Sequence, residues 1–184
     1  LAGDVLQGVA IDTARDLLAH PLSSVAEFGA EIVLRRSRVG TLEPGLLDAL
    51  LESSHRAVRT LGARIVADTP LAVLKDEPSL LTHFALSAHA ELRQETRSLF
   101  AAMAEEHPDV ARSIALDLTA ALRSTLPEGA PSHVVSLLRA ELRGVLPRLD
   151  AEAVMSLLSA LSPHAREAGG LLLPMLGPDE LELD

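Results

Sequence analysis

Glu52 and His55 are the residues of this chain that come nearest to metal-site chemistry. On a helix, positions i and i+3 share a face, so the carboxylate and imidazole of Glu52-x-x-His55 could bind one iron or manganese ion. A di-iron bundle site needs a second such pair and two further glutamates. The chain has only one such pair, although Glu27/Glu31 or Glu91/Glu95 could supply carboxylates. We therefore predict no metal site and no cofactor.

His83 and His89 are a second candidate pair of polar groups. At about 100° per residue, six positions place them about 120° apart on a helix, too far to share a metal without other ligands. In an apolar pocket, either imidazole could instead orient a small ligand. The other interpretation is that one of them is a partly buried, hydrogen-bonded residue.

Arg15 and His20 are separated by four residues, an R-x4-H spacing. This spacing resembles the motif of the HEPN domains, a class of small all-helical ribonucleases. The resemblance covers Arg15 to His20 alone and implies metal-independent RNA cleavage, with the two side chains acting in a dimer cleft. The other interpretation is an exposed Arg next to a capping or surface His.

Motifs of the common enzyme classes are missing. The chain has no phosphate-binding G-x-x-x-x-G-K-[ST] or G-x-G-x-x-G loop, no H-E-x-x-H and no G-x-S-x-G elbow. With no cysteine, it lacks disulfides, thiolate-bound zinc and thiol nucleophiles. We therefore predict no catalytic residues and expect that the protein is not an enzyme.

The composition is aliphatic and acidic. The 184 residues carry a formal net charge of −10, and seven acids against one Arg lie in residues 150–184. Because an acidic field repels phosphate backbones, nucleic acid is not an expected partner. No uncharged stretch is long enough to span a membrane, so we expect a soluble, cytoplasmic protein.

Helical periodicity runs through the chain, interrupted by Pro and Gly. It predicts an initial helix over 4–19 and a second that starts at the capping box Ser24-x-x-Glu27 and buries Val25, Phe28 and Ile32. Long helices are expected over 44–67 and 78–106, and shorter ones follow to a last helix, 163–168, closed by Gly169-Gly170. No segment shows the alternation of a half-buried strand, so the predicted fold is all-α.

The expected architecture is an antiparallel bundle of about seven to nine helices, two or three of them long, with a helical array as the alternative. A short recurrence, L-R-x-x-L-P, starts at Leu122 and again at Leu142. Two copies do not establish a solenoid. We predict one helical domain over 1–170, followed by an apolar patch and acidic tail over 171–184.

This apolar patch is the strongest interaction signal in the sequence. Apolar clusters followed by acidic-hydrophobic alternation either dock in a partner's groove or pack back on their own core. The candidate docking residues are Leu171, Leu172, Leu173, Met175, Leu176 and Leu181.

Three functions remain open. The leading hypothesis is a non-enzymatic, oligomeric interaction or regulatory domain whose partner is another protein or a second copy. The alternative is a small-molecule sensor with an apolar pocket, in which His83 or His89 contacts the ligand. The third hypothesis is an enzyme, either a HEPN-like ribonuclease or a metal-binding bundle.

Overall fold

The computed structural model describes residues 11–36 and 45–177, and the secondary structure of these residues is helical, without strands. An all-α, multi-helix fold is confirmed. The first half contains α1 (Ile11–Leu18), α2 (Ser23–Arg36), α3 (Leu46–Leu51), α4 (Arg56–Ala67) and α5 (Leu71–Leu74). The second half contains α6 (Pro78–Leu86), α7 (Ala90–Glu95), α8 (Arg97–Glu106), α9 (Pro108–Ala121), α10 (Ala130–Arg139), α11 (Ala151–Leu158) and α12 (Pro163–Leu172), with short 3₁₀ turns at Arg143–Val145 and Leu173–Met175.

Two predicted long helices are broken, which corrects the sequence-based boundaries. The helix expected over 44–67 is divided into α3 and α4, and the one expected over 78–106 into α6, α7 and α8. At the first break, Ser53 Oγ accepts a hydrogen bond from the His55 N–H at 3.2 Å. At the second, Ser87 Oγ accepts from the His89 N–H at 3.1 Å. These serines give the backbone a partner outside the helix, so the chain turns although the apolar period continues.

Pairs of helices joined by short turns form three hairpins that stack in chain order. Hairpin A consists of α1 and α2, hairpin B of α3 and α4, and hairpin C of α6 and α7. Between A and B, α1 packs beside α3 and α2 beside α4, while α4 packs beside α7 of hairpin C. This order is the one expected of the helical-array alternative.

The helices after hairpin C pack in a less regular way. Helix α9 lies against α6 and α8, while α10 lies against α6 and α12. A last hairpin, D, is formed by α11 and α12. Asp150 Oδ1 accepts from the Ala153 N–H at 2.7 Å and caps α11. This half therefore forms a bundle around the same α6 that belongs to hairpin C.

Helices of a hairpin cross closely at glycine. A Cβ atom on Gly29 would lie 2.8 Å from the Cβ of Leu17, and one on Gly62 would lie 2.9 Å from that of Leu50. In hairpin D, a Cβ on Gly169 would lie 3.0 Å from the Leu158 N atom. Any larger side chain would push the two helices apart.

Gly169 and Gly170 lie inside α12 and do not close it, contrary to the prediction. The helix continues to Leu172. The absence of a side chain at Gly169 permits the close crossing with α11, and packing of α12 overrides the weak helix propensity of glycine.

The buried apolar residues fall into two clusters. The small cluster lies in hairpins A and B and contains Ala14, Leu18, Ala26, Ala30, Ile32, Val33, Leu46, Leu50, Val58 and Ile65. The large cluster runs from hairpin B to the end of α12 and includes Phe84, Phe100, Met103, Ile114 and Leu118. Helix α4 contributes residues to both clusters. Val58 and Ile65 belong to the small cluster, and Ala63 and Val66 belong to the large one.

Phe28 is predicted to be buried, and this is wrong: it is 50% exposed. With Gly29 aligned on Gly62, Phe28 takes the position that Leu61 has in hairpin B. Leu61 is partly buried against the small cluster, on the side of hairpin B that faces hairpin A. The packing of α3 and α4 against hairpin A leaves Phe28 uncovered.

None of the helices in the described ranges combines the length and the apolar character needed to cross a lipid bilayer.

Candidate binding cleft along the hairpin turns

The turns of hairpins A, B and C lie at one edge of the stack, here named the turn edge. It comprises Ala19–Pro21, Glu52–His55 and Ser87–His89. Two clefts open between successive turns, one between A and B and one between B and C. Glu52 lines both clefts and is exposed.

The first cleft has a volume of about 280 Å³ and a lining of mixed polar and apolar character. Arg15, His20 and Glu52 contribute to it, together with Ser53 and Ser54. The two residues of the R-x4-H spacing therefore do lie beside a common cleft. The Glu52 carboxylate lies there too, and a negative charge at this place disfavours an RNA phosphate backbone.

The second cleft is larger, about 610 Å³, and is open to solvent. Buried Leu51 and Leu92 line it. His83 and His89 also line it, because the break between α6 and α7 places them beside one space although they belong to different helical segments. Its other lining residues are Glu52, Ser79, Thr82, Leu86, Ser87, Ala88 and Pro127.

In hairpins B, C and D, an arginine on the second helix holds the turn in shape. The Arg59 guanidinium donates to the Ser53 carbonyl at 2.7 Å, and the Arg93 guanidinium donates to the Ser87 carbonyl at 2.5 Å. In hairpin D, Arg166 donates in the same way to the Ala160 carbonyl at 2.8 Å. Each Arg thus binds a carbonyl six residues earlier that lacks a helical partner.

Arg59 also forms a buried ion pair with Glu91 that joins hairpins B and C. Its Nε and Nη2 atoms lie 2.8 and 2.5 Å from Glu91 Oε1, and both side chains are about 10% exposed. Burial by itself raises the pKa of the Glu91 carboxyl, but a backbone hydrogen bond and the Arg59 guanidinium outweigh it and lower the pKa. The pair therefore stays ionised behind the second cleft.

Hairpin A lacks this arginine, since Ala26 stands where hairpin B has Arg59. The His20 Nδ1 atom accepts from the Leu22 N–H at 3.1 Å. The His20 carbonyl lies 3.3 Å from His55 Nε2. His55 therefore joins the turns of hairpins A and B.

This arrangement leaves a signal in the sequence that the sequence-based prediction missed. Ser53-x-His55-x-x-x-Arg59 recurs 34 positions later as Ser87-x-His89-x-x-x-Arg93. In both copies the Ser caps the turn, the His precedes the second helix, and the Arg closes the turn. Such a recurrence predicts equivalent hairpins, which the shorter L-R-x-x-L-P recurrence does not.

The side chains weighed as possible metal ligands are not assembled. Glu52 and His55 lie in the turn between α3 and α4, so the expected position within one helix is wrong. Glu91 is bound to Arg59, and Glu95 lies 3.9 Å from Arg64. In the described part of the chain, no group of three or more His, Asp or Glu side chains is placed to hold a metal ion.

The proposed docking residues at the C-terminal end have mixed environments. Leu172 and Leu176 belong to the large cluster, and Leu171 and Leu173 are partly buried against it. Met175 is 40% exposed. A partner could therefore reach Met175 but not the buried leucines without unfolding this end of the chain. Leu181 lies outside the described residues.

His133 on α10 is a half-buried titratable residue that sequence reasoning missed. Its Nε2 atom is buried without a hydrogen-bond partner. Burial, together with the nearby charges of Arg93 and Arg97, lowers its pKa to about 4, although Glu141 acts in the opposite direction. His133 is thus a neutral, half-buried residue that lines neither of the two clefts.

No family model matches the chain, and neither the curated proteins nor the solved structures contain a match to it.

Proposed function

We propose that this chain is a non-enzymatic helical interaction domain that holds a segment of another protein in the second cleft. The observation that carries this proposal is the open form of that cleft, with its volume of about 610 Å³. Small-molecule sites bury most of their ligand's surface. An open cleft instead suits a chain that continues beyond it.

The lining of the cleft supports binding of this kind. Buried Leu51 and Leu92 offer apolar contact area to an incoming side chain. Hydroxyl and imidazole groups around them, on Ser79, His83 and His89, offer hydrogen bonds that fix a peptide's orientation. The Arg59–Glu91 pair and the Arg93 contact hold the turns rigid, which lowers the entropic cost of binding.

A small-molecule sensor is the second candidate, and one observation favours it. His83 and His89 line the same cleft, so both could contact a single ligand. A ligand of this kind would have to tolerate solvent on its open side.

The test is to fill the cleft with a large side chain. Ala88 lines the cleft and is exposed, so Ala88→Trp reduces the available space with little effect on the core. Ala120→Trp, at an exposed position on α9, is the matched control. Dodecapeptides selected from a random library with the wild-type chain are the probe, and fluorescence polarisation measures their Kd.

We expect Ala88→Trp to raise the peptide Kd about tenfold or more, equivalent to about 1.4 kcal/mol, with no change for Ala120→Trp. Equal binding by both variants would exclude the cleft as the site. If native mass spectrometry of the wild-type chain finds a retained small molecule that Ala88→Trp loses, the sensor hypothesis is correct instead.

A further inference from the structure

Glu52 lies at the boundary between the two clefts, where it lines both of them and is exposed. Among the described residues that line the second cleft, it alone has a carboxylate, and none has a guanidinium or an ammonium group. Within the described part of the chain, the Glu52 side chain has neither a hydrogen-bond partner nor an ion-pair partner. The second cleft therefore has a negative charge at one end.

Arginines of hairpins B and C do not neutralise this charge. The Arg59 guanidinium is buried against one carboxylate oxygen of Glu91, and Arg56 lies 4.0 Å from the other. Arg93 is also buried and donates to a carbonyl of the turn. None of these three guanidinium groups lines the cleft. The Glu52 carboxylate is thus left for a cation that comes from outside the chain.

We propose that the segment held in the second cleft is basic. It packs an aliphatic side chain against Leu51 and Leu92 and places an Arg or Lys, one or two residues away, on the Glu52 carboxylate. This inference rests on the proposed function of the cleft. The net charge of −10 acts in the same direction, because it attracts a basic segment during encounter and repels an acidic one.

The sequences of selected peptides give the first test. Dodecapeptides are selected from a random library with the wild-type chain, and those whose binding Ala88→Trp weakens are kept as cleft-binding peptides. We expect these to carry an Arg or Lys within two positions of an aliphatic residue. Selection with Glu52→Arg should instead enrich Asp or Glu at that place. A wild-type pool that is acidic, or that shows no preference for charge, would overturn the inference.

The affinity of one basic cleft-binding peptide gives the second test. Glu52→Gln should raise its Kd about two- to fivefold, the loss expected for an exposed ion pair. Asp48→Asn is the matched control, because Asp48 is exposed one helical turn before Glu52 and lines neither cleft. It removes the same charge and should leave the Kd unchanged. An equal loss in both variants would mean that net charge alone acts, and would overturn the contact.

A double-mutant cycle assigns the contact to the peptide's basic residue. Replacing that residue by glutamine should weaken binding to the wild-type chain but should cause little further loss with Glu52→Gln. Raising the NaCl concentration from about 50 to about 500 mM should weaken wild-type binding more than that of Glu52→Gln. Independent, additive losses would contradict a direct pair.

Failure of this inference and failure of the proposed function give different results. If Ala88→Trp weakens binding while Glu52→Gln binds as the wild type does, the cleft is the site and only the basic partner is overturned. If Ala88→Trp weakens none of the selected peptides, both proposals are overturned. Circular dichroism checks that each variant folds, as expected for a substitution at an exposed turn position.

Discussion

Two regions of the molecule are built from the same kind of hairpin but enclose their interiors to different extents. The small-cluster region consists of hairpins A and B, and the large-cluster region consists of the helices from α6 onward. Hairpins A and B enclose residues that are all aliphatic, three of them alanine. The helices from α6 onward enclose both buried phenylalanines, Phe84 and Phe100, together with Met103. Because stabilisation grows with the apolar area removed from water, we expect the large-cluster region to set the global stability.

From this difference we expect that a shared hairpin design does not give shared stability. Hairpins B and C form their turns locally, through a serine cap and an Arg contact, and hairpin A through His20. The core of each hairpin depends on neighbouring helices. Among the described residues, hairpin A packs mainly against α3 and α4, which leave Phe28 half exposed. We therefore expect the small-cluster region to open at a lower free energy than the rest of the chain.

Truncating one core residue in each region should give the largest effects. Phe84→Ala should lower the free energy of unfolding by about 3–5 kcal/mol, because a fully buried ring leaves a cavity in a region enclosed on all sides. Ile32→Ala should cost about 2–3 kcal/mol. Urea titrations followed by circular dichroism measure both values.

Hydrogen exchange then separates the two variants. Ile32→Ala should accelerate exchange mainly in residues 11–67, whereas Phe84→Ala should accelerate it throughout the chain. If both variants exchange and unfold as one cooperative unit, the distinction between the two regions fails.

Removing one partner of the ion pair between hairpins B and C should disconnect the regions. Glu91→Leu leaves the Arg59 guanidinium buried without a countercharge and should cost about 3 kcal/mol. The double variant with Arg59→Leu should recover much of this loss, although it also removes the bond to the Ser53 carbonyl. A double-mutant cycle in urea gives the coupling energy, and a coupling near zero would contradict the proposed junction.

Neighbouring glycines in α12 test whether close helix crossings matter as much as cluster size. Gly169→Ala should destabilise by about 1–2 kcal/mol, because the new Cβ would meet the α11 backbone. Gly170→Ala has open space around it and should stabilise by up to about 1 kcal/mol through helix propensity. Thermal denaturation of the two variants should move Tm in opposite directions; shifts of the same sign would argue against the crossing.

Acid should destabilise the large-cluster region selectively. The loss in the free energy of unfolding should be smaller than the losses caused by the core substitutions. The folded-state pKa of His133, about 4, lies below its ordinary value of 6.5, so the unfolded chain binds the proton more readily. Stability from this group is complete well above pH 6.5 and is lost as pH falls from 6.5 towards 4. His133→Leu should flatten the pH dependence of the free energy of unfolding between pH 7 and 5, and an unchanged slope would contradict the assignment.

The fold class follows from the sequence, but the interruptions of its helices do not follow from periodicity. An apolar stripe continues through Glu52–His55 as if α3 and α4 were one helix. The break depends on a hydroxyl cap and an arginine six residues further on, which a hydrophobic pattern does not record. His83 and His89 were identified as ligand-pocket candidates from their types, and the break places them beside one cleft.

The sequence also did not predict which residues are buried by helices that are distant in the chain. Phe28 has the composition and spacing of a core residue, and its exposure depends on which side of hairpin A carries a neighbour. In the sequence, Glu91 and Arg59 have the pattern of ordinary surface charges. They nevertheless pair in the interior, because two separate hairpins meet there. The local sequence pattern predicts a helical hairpin. Contacts with other parts of the fold determine which face of that hairpin is covered.

Because the hairpins recur at a near-constant spacing, the chain could be lengthened or shortened by one whole hairpin at a time. Gly29 and Gly62 are 33 positions apart, and Arg59 and Arg93 are 34 apart. Duplication or deletion of a segment of that size would preserve the phase of every helix, whereas a change of a few residues would rotate one helix against its neighbours. Each added unit would lengthen the turn edge by one cleft, so the reach of such a scaffold along a bound chain could be extended without redesign of any single contact.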